Sequence, residues 1–220
     1  MTATRKDERQ FASDVAFTSS VKAIQSRKGS RSAYARMENG GGWATTITSD
    51  LAAFIAAQTS VFLATANGAG QPYIQHRGGP PGFLHVFDEK TIAFADFRGN
   101  RQFITAGNLA ENPQAHLFLM DYATRQRIKL WGMARVVEDD AQLVTRLMPP
   151  GYRAKGEQAI LFHVDTWDAN CPQHIPQRFD AAEVAQALEE GDRRIALLEV
   201  EIARLKRLQL AGGEGSRRAA

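Results

Sequence analysis

At 220 residues the chain is long enough for one domain with modest extensions and a sizeable buried core. Its 44% hydrophobic and 23% charged residues are those of a globular protein, and no apolar run approaches the length needed to cross a bilayer. The formal charge is +3, and the single cysteine, Cys171, excludes an internal disulfide framework and a thiolate-only metal site.

The opening MTATRKDERQ is polar and mixed in charge, unlike a secretory signal, so the cytoplasm is the expected compartment. Basic residues crowd the first part of the chain: Arg5, Lys6, Arg9, Lys22, Arg27, Lys28, Arg31 and Arg36. The sequence pI is about 9.2. No zinc-finger spacing or RNA-reading aromatic pattern accompanies this excess, so phosphate-ligand binding accounts for it more economically than a polynucleotide.

Residues 1–47 read as an N-terminal extension. Within it, Val21 and Ile24 lie three apart and can dock one short helix on a core. Gly40-Gly41-Gly42 then breaks any helix and serves as a hinge. Residues 48–179 read mostly as strands. Ser49 or Asp50 can cap a short helix over 51–57, followed by a strand over 60–66. Asn67-Gly68-Ala69-Gly70 turns that strand into a second over 72–77. Segments 83–87 and 91–95 form another hairpin across Asp88-Glu89-Lys90. A helix over 102–110 ends at Asn112-Pro113, strands follow over 115–121 and 127–137, a helix over 141–147 stops at Pro149-Pro150, and a last strand covers 159–165. Hairpin-linked strands interrupted by helices predict a mainly β fold with α additions, an antiparallel barrel. No strand–GxGxxG–helix unit supports a dinucleotide-binding fold. In the tail, Ile195, Leu198, Ile202 and Leu205 alternate by three and four, which predicts an amphipathic C-terminal helix over 180–211 and a flexible end over 212–220. That helix either packs on its own barrel or pairs across a dimer.

Three clusters carry the chemistry. Gln75-His76-Arg77 ends a strand and runs into the glycine- and proline-rich Gly78 to Gly82, where backbone amides can approach a flat ligand. The plain alternative is a wide loop with a solvated arginine. Asp96-Phe97-Arg98-Gly99-Asn100-Arg101-Gln102 leads into a helix, where free amides, the positive dipole end and bidentate arginine donors suit a phosphate. The plain alternative is Asn100 capping that helix. Trp167 to Phe179 is dense in binding side chains, among them Gln173, His174 and Arg178. Cys171 and His174 lack the second pair a metal would need. His116 and His163 sit within strands and suit structural roles, while His85 leaves the Gly/Pro loop.

In order along the chain, QPYIQHRGGPPGF, FRGNRQFITAGNLAENP, LFLMDY, KLWGMARVVED and WDANCPQHIPQRF resemble the pyridoxamine 5'-phosphate oxidase family of FMN-binding split barrels, in its bacterial flavin-nucleotide-binding branch. The resemblance implies a homodimer of six-stranded antiparallel barrels with FMN in each of two grooves at the subunit interface. By it, Gly99-Asn100-Arg101 matches the family's phosphate-holding turn, with Gln102 where a lysine is usual and Arg98 or His85 as the compensating cation. His85 and Arg127 stand at flavin-contacting positions, and Trp167 with Arg178 looks like the family's terminal Trp and Arg-Phe pair. Gln173-His174-Ile175 replaces the residues that grip the pyridoxal substrate, so that substrate does not carry over. Arg77, Arg127, His174 and Arg178 are candidates for the ring's N1/O2 edge, which becomes negative on reduction. Gln75, Gln173 and loop amides are candidates for N3/O4. With His76, these residues make the expected cofactor site. The implied function is an FMN-dependent oxidoreductase acting with a small-molecule substrate or electron donor. The alternatives are a non-catalytic flavin carrier or sensor, or a relative holding haem or a deazaflavin.

Overall fold

The computed structural model describes residues 10–170 and 172–217, so Cys171 and the early cations Arg5, Lys6 and Arg9 lie outside the described residues. The first unit comprises 10–121 and 125–175. It opens with a 3-10 turn, Ala12–Val15, then helices α1 (Ser19–Lys28) and α2 (Arg31–Asn39). Thr18 caps α1 by accepting from the Val21 amide at 3.3 Å, and Gly29 ends it in the left-handed region at φ 80°. The extension thus holds two helices where one was expected. It meets the sheet through Trp43, whose ring stacks on Trp131 at 4.8 Å, rather than through Ile24, which is exposed, and its own segments are tied together by polar groups. Glu38, almost wholly buried, takes hydrogen bonds from Ser13 and Arg31. Such a buried carboxylate is tolerable only because donors surround it.

Helix α3 (Ser49–Ala57) is capped by Thr48, which accepts from the Leu51 amide at 3.2 Å, where Ser49 or Asp50 was the expected cap. Seven antiparallel strands follow in sequence: β1 (Ser60–Ala66), β2 (Pro72–Gly78), β3 (His85–Asp88), β4 (Thr91–Phe97), β5 (Gln114–Asp121), β6 (Gln126–Val137) and β7 (Gly156–Asn170). Helix α4 (Ile104–Glu111) separates β4 from β5, and α5 (Ala141–Leu147) separates β6 from β7. The strand order is β2-β1-β5-β6-β7-β4-β3. The fold is therefore mainly β with helices, but its sheet has seven strands and is open, where six strands closed into a barrel were expected. Strand β7, 15 residues long, joins the two parts of the sheet, pairing with β4 along its first half and with β6 over most of its length.

Alternation along the strands supplies the core. Val61 and Leu63 of β1, Leu117 and Leu119 of β5, Leu130 of β6, and Ile160, Phe162 and Val164 of β7 are fully buried, and Ile55 of α3 covers them. Each such side chain contributes roughly 1.5–3 kcal/mol by leaving water. A register shift at Trp131/Gly132 brings β6 so close to β7 that a Cβ on Gly132 would lie 1.9 Å from the His163 carbonyl oxygen. Only glycine fits there.

The open sheet is bridged by side chains. Arg77 on the edge strand β2 places Nε 2.8 Å from Asp96 Oδ1 on β4, near the other end of the strand order. Helix α4 is fixed beside this bridge: Asn108 donates to Thr65 on β1 at 3.0 Å, and Glu111 accepts from the Gly68 amide at 2.7 Å.

The second unit is residues 122–124 with 176–217. Its main element is α6 (Ala181–Arg217). The helix passes through Gly212-Gly213, where the sequence predicted a stop. Two glycines cost about 2 kcal/mol relative to alanine, and the backbone ladder continues through them.

Candidate functional site

A cleft of about 300 Å³ opens between β2, β4, β7 and the start of α4. Strand alternation decides which residues of the first cluster reach it. Tyr73, Gln75 and Arg77 share one face of β2 and line the cleft, whereas Ile74 and His76 point to the other face. His76 instead meets Ser60 Oγ at 2.8 Å and the edge of Phe62. The Tyr73 hydroxyl donates to Gln75 Oε1, and the Gln75 NH2 group has no acceptor among the described residues. Arg77 is largely enclosed, with 18% of its side chain exposed. Its Nη2 donates to Thr105 at 3.3 Å. Its Nε is close to Asp96 but too badly angled for a hydrogen bond, and is a buried donor without an acceptor among the described residues.

The second cluster forms the opposite wall. Gly99, Asn100, Arg101 and Gln102 line the cleft with the first residues of α4. Asn100 does not cap the helix; its Oδ1 accepts from the Gln102 amide at 3.3 Å. The capping position belongs to Phe103, whose side chain can accept nothing, so the first amides of α4 face the cleft uncapped. Arg101 and Phe103 both have positive φ, 59° and 54°. Two non-glycine residues held there store strain, and such strain concentrates at binding sites. Arg101 pairs with Glu157 at 2.9 Å and lies over the Phe103 ring, with 51% of its side chain exposed. Arg98 is exposed and outside the lining.

The cleft therefore carries two cations, Arg77 and Arg101, each facing one carboxylate, Asp96 and Glu157. Sequence reasoning missed both acids, along with Tyr73, Thr105 and Gln158. Gln158 is buried on β7 and donates to Asp96 at 2.9 Å. The signal for Asp96 was its place at the head of the basic turn; Glu157 and Gln158 lie sixty residues away, and only the β4–β7 pairing joins them.

The remaining candidates lie elsewhere in the fold. His85 contacts the Leu147 carbonyl oxygen at 3.3 Å. Arg127 opens β6, opposite Met120. The Trp167 indole donates to the Thr46 carbonyl at 2.8 Å, tying the extension to β7. Gln173 and His174 occupy an exposed turn, with His174 at φ 65°. Arg178 belongs to the second unit, where its guanidinium lies over the Tyr122 ring at 4.7 Å. The Gly/Pro loop is committed to packing. The Gly79 and Gly82 amides donate to the Thr59 and Ala56 carbonyls, and a Cβ on Gly79 would strike the buried Phe83 at 2.7 Å. His116 packs edge-on against Trp131, and burial, helped by the Lys129 charge, pushes its pKa down to about 4.

A family model described as pyridoxamine 5'-phosphate oxidase matches residues 47–209. No curated protein sequence matches the chain. Among solved structures, HupZ of Group A Streptococcus is 16% identical over 60% of this chain and 99% of its own, with a TM-score of 0.45. An FMN-binding protein from Syntrophomonas wolfei is 12% identical over 55% and 84%, with a TM-score of 0.42. General stress protein 26 of Bacillus anthracis is 16% identical over 52% and 86%, with a TM-score of 0.38. At these identities no residue's role transfers. The family match spans well over half of the sequence, from just before α3 through the whole sheet and into α6, and the chain belongs to the pyridoxamine 5'-phosphate oxidase family.

Proposed function

We propose that the chain is an FMN-binding flavoprotein that works as an oxidoreductase on a small molecule. One observation carries this reading: a single cleft gathers Gln75 and Arg77 from one wall and Asn100, Arg101 and the uncapped start of α4 from the other. The donor set fits the group. A phosphate needs exposed amides, a positive dipole end and a guanidinium, and all three stand at the α4 wall.

In this proposal Arg101 and the first-turn amides of α4 hold the phosphate, with Asn100 fixing the turn. A phosphate reaching Arg101 competes with Glu157 for the guanidinium. Gln75 donates its free NH2 to a ring carbonyl, oriented by the Tyr73 hydroxyl. Arg77, held by Asp96 and Thr105, sets a positive charge on the β2 wall. FMN, when bound, supplies hydride and electron transfer. The cleft is at the lower end of the size range of ligand pockets, which suits a homodimer in which a second copy completes the groove. In that arrangement His76, His85, Arg98, Gln102, Arg127, Trp167, Gln173, His174 and Arg178 are the remaining proposed contacts.

The test is the visible spectrum of the protein as purified, followed by titration with FMN and mixing with NADH or NADPH under anaerobic conditions. A flavin spectrum bleached by the nicotinamide supports the proposal. Colourless protein that leaves FMN fluorescence unchanged refutes it. Tight FMN that no donor reduces refutes the oxidoreductase half alone.

A further inference from the structure

Helix α6 presents an unpartnered apolar seam. Val184, Leu188, Ile195, Leu198, Ile202 and Leu205 are all exposed, between 43% and 65% of their surface. Their spacing is four, seven, three, four and three. With Gly191 filling the one gap, this is an unbroken a/d repeat over three heptads. The seam starts at an apolar groove of about 360 Å³ formed by Phe179, Val184, Ala187 and Leu188. A helix standing alone in water does not expose six large apolar residues on one stripe without a partner for them.

We propose that this partner is α6 of a second copy, paired in parallel and in register as a two-stranded coiled coil over residues 184–205. Two features select that occupant over an unrelated apolar partner. First, isoleucine stands at the a positions 195 and 202 and leucine at the d positions 198 and 205, the combination that favours parallel pairs. Second, the flanking charges are self-complementary in that arrangement. Arg194 at g faces the partner's Glu199 at e, and Glu201 at g faces the partner's Lys206 at e. Glu201 also meets Arg204 of its own helix at 3.4 Å, so the second pair is shared. An antiparallel pair centred on the same seam would set Glu199 against Glu190 of the other copy, like charges facing. Gly191 leaves a hole at a d position, and nothing lies within 4 Å of the Cβ a substitution would add. Leu197 and Val200 fall outside the seam and nothing in the pairing explains them. The inference stands apart from the flavin reading, because no residue of the cleft takes part.

The experiment uses the full chain with Cys171→Ser as the background and one thiol placed on α6. Leu198→Cys, at a d position, brings two thiols together across a parallel pair, whereas Val200→Cys points outward. Oxidation at micromolar protein is expected to convert most of the Leu198→Cys chain to a disulfide-linked dimer and at least tenfold less of the Val200→Cys chain. Adding Arg194→Glu is expected to slow the Leu198→Cys linkage about threefold, and adding Glu199→Arg as well should restore it. No linkage at 198, or equal linkage at 198 and 200, overturns the pairing. Failure of the double charge exchange to restore the rate overturns the parallel register. An antiparallel pair sets position 198 about seven residues, roughly 10 Å, from its counterpart, too far for a disulfide. A dimer formed through the sheets alone yields neither cross-link, so the result does not depend on that assembly.

Discussion

Arg101 and Glu157 offer opposite-signed tests of the phosphate position. The pair is 2.9 Å apart and Arg101 is half exposed, so its own worth to the fold is well under about 1 kcal/mol. Arg101→Ala therefore leaves the melting temperature nearly unchanged. A charged hydrogen bond to phosphate is worth about 1.5–3 kcal/mol, and solvent exposure places this one at the lower end. The expected loss is about 1.5 kcal/mol, close to tenfold in Kd for FMN. Glu157→Gln removes the carboxylate that competes for the guanidinium and should tighten FMN about threefold. The assay is quenching of flavin fluorescence, run in parallel with FMN and with riboflavin, which lacks the phosphate. Neither variant should alter riboflavin binding. If Arg101→Ala binds FMN as the parent does, or loses riboflavin equally, the phosphate does not sit at the α4 wall.

Other perturbations probe the frame around the cleft. Arg77→Ala unties β2 from β4 and leaves Asp96 with Gln158 as its remaining neighbour; a stability loss of about 2 kcal/mol is expected in urea unfolding. Gly132→Ala drives a methyl into the His163 carbonyl and should cost at least about 3 kcal/mol, or prevent recovery of folded protein. His116 has a folded pKa of about 4 against 6.5 when unfolded, so the unfolded chain binds the extra proton first as the pH falls. Stability is full above about pH 6.5 and declines toward pH 4, by at most about 3 kcal/mol from this residue. His116→Gln should flatten that part of the pH–stability curve, and an unchanged slope would show that another group sets it.

Where the periodicity was local, the sequence was a good guide. All seven strands and both helices between them were legible, because alternation in β1 or the Asn67–Gly70 turn is written in adjacent residues. The extension was read less well. α2 is tied to the opening 3-10 turn through Glu38 and its donors, and a buried carboxylate looks like a solvated charge until its partners are seen. Strand β7 was read as seven residues and runs for 15, since its second half alternates weakly and is held by β6. Gln75, Arg77, Asn100, Arg101 and Gln102 line one cleft. The face of His76 follows from strict alternation once Gln75 and Arg77 are inward. The acids Asp96 and Glu157, which balance the two arginines, emerge only from long-range pairing. Trp167 and the Gln173-His174 turn look like ligand-binding residues in sequence, yet in one chain the indole is taken up by Thr46.

In the proposed function the cleft between β2 and α4 holds a flavin phosphate and ring. Its most direct test is the chemical-shift or crystallographic footprint of FMN on the full chain. Contacts are expected at Gln75, Arg77, Arg101 and the first amides of α4. Bound FMN that leaves all of these untouched would contradict it.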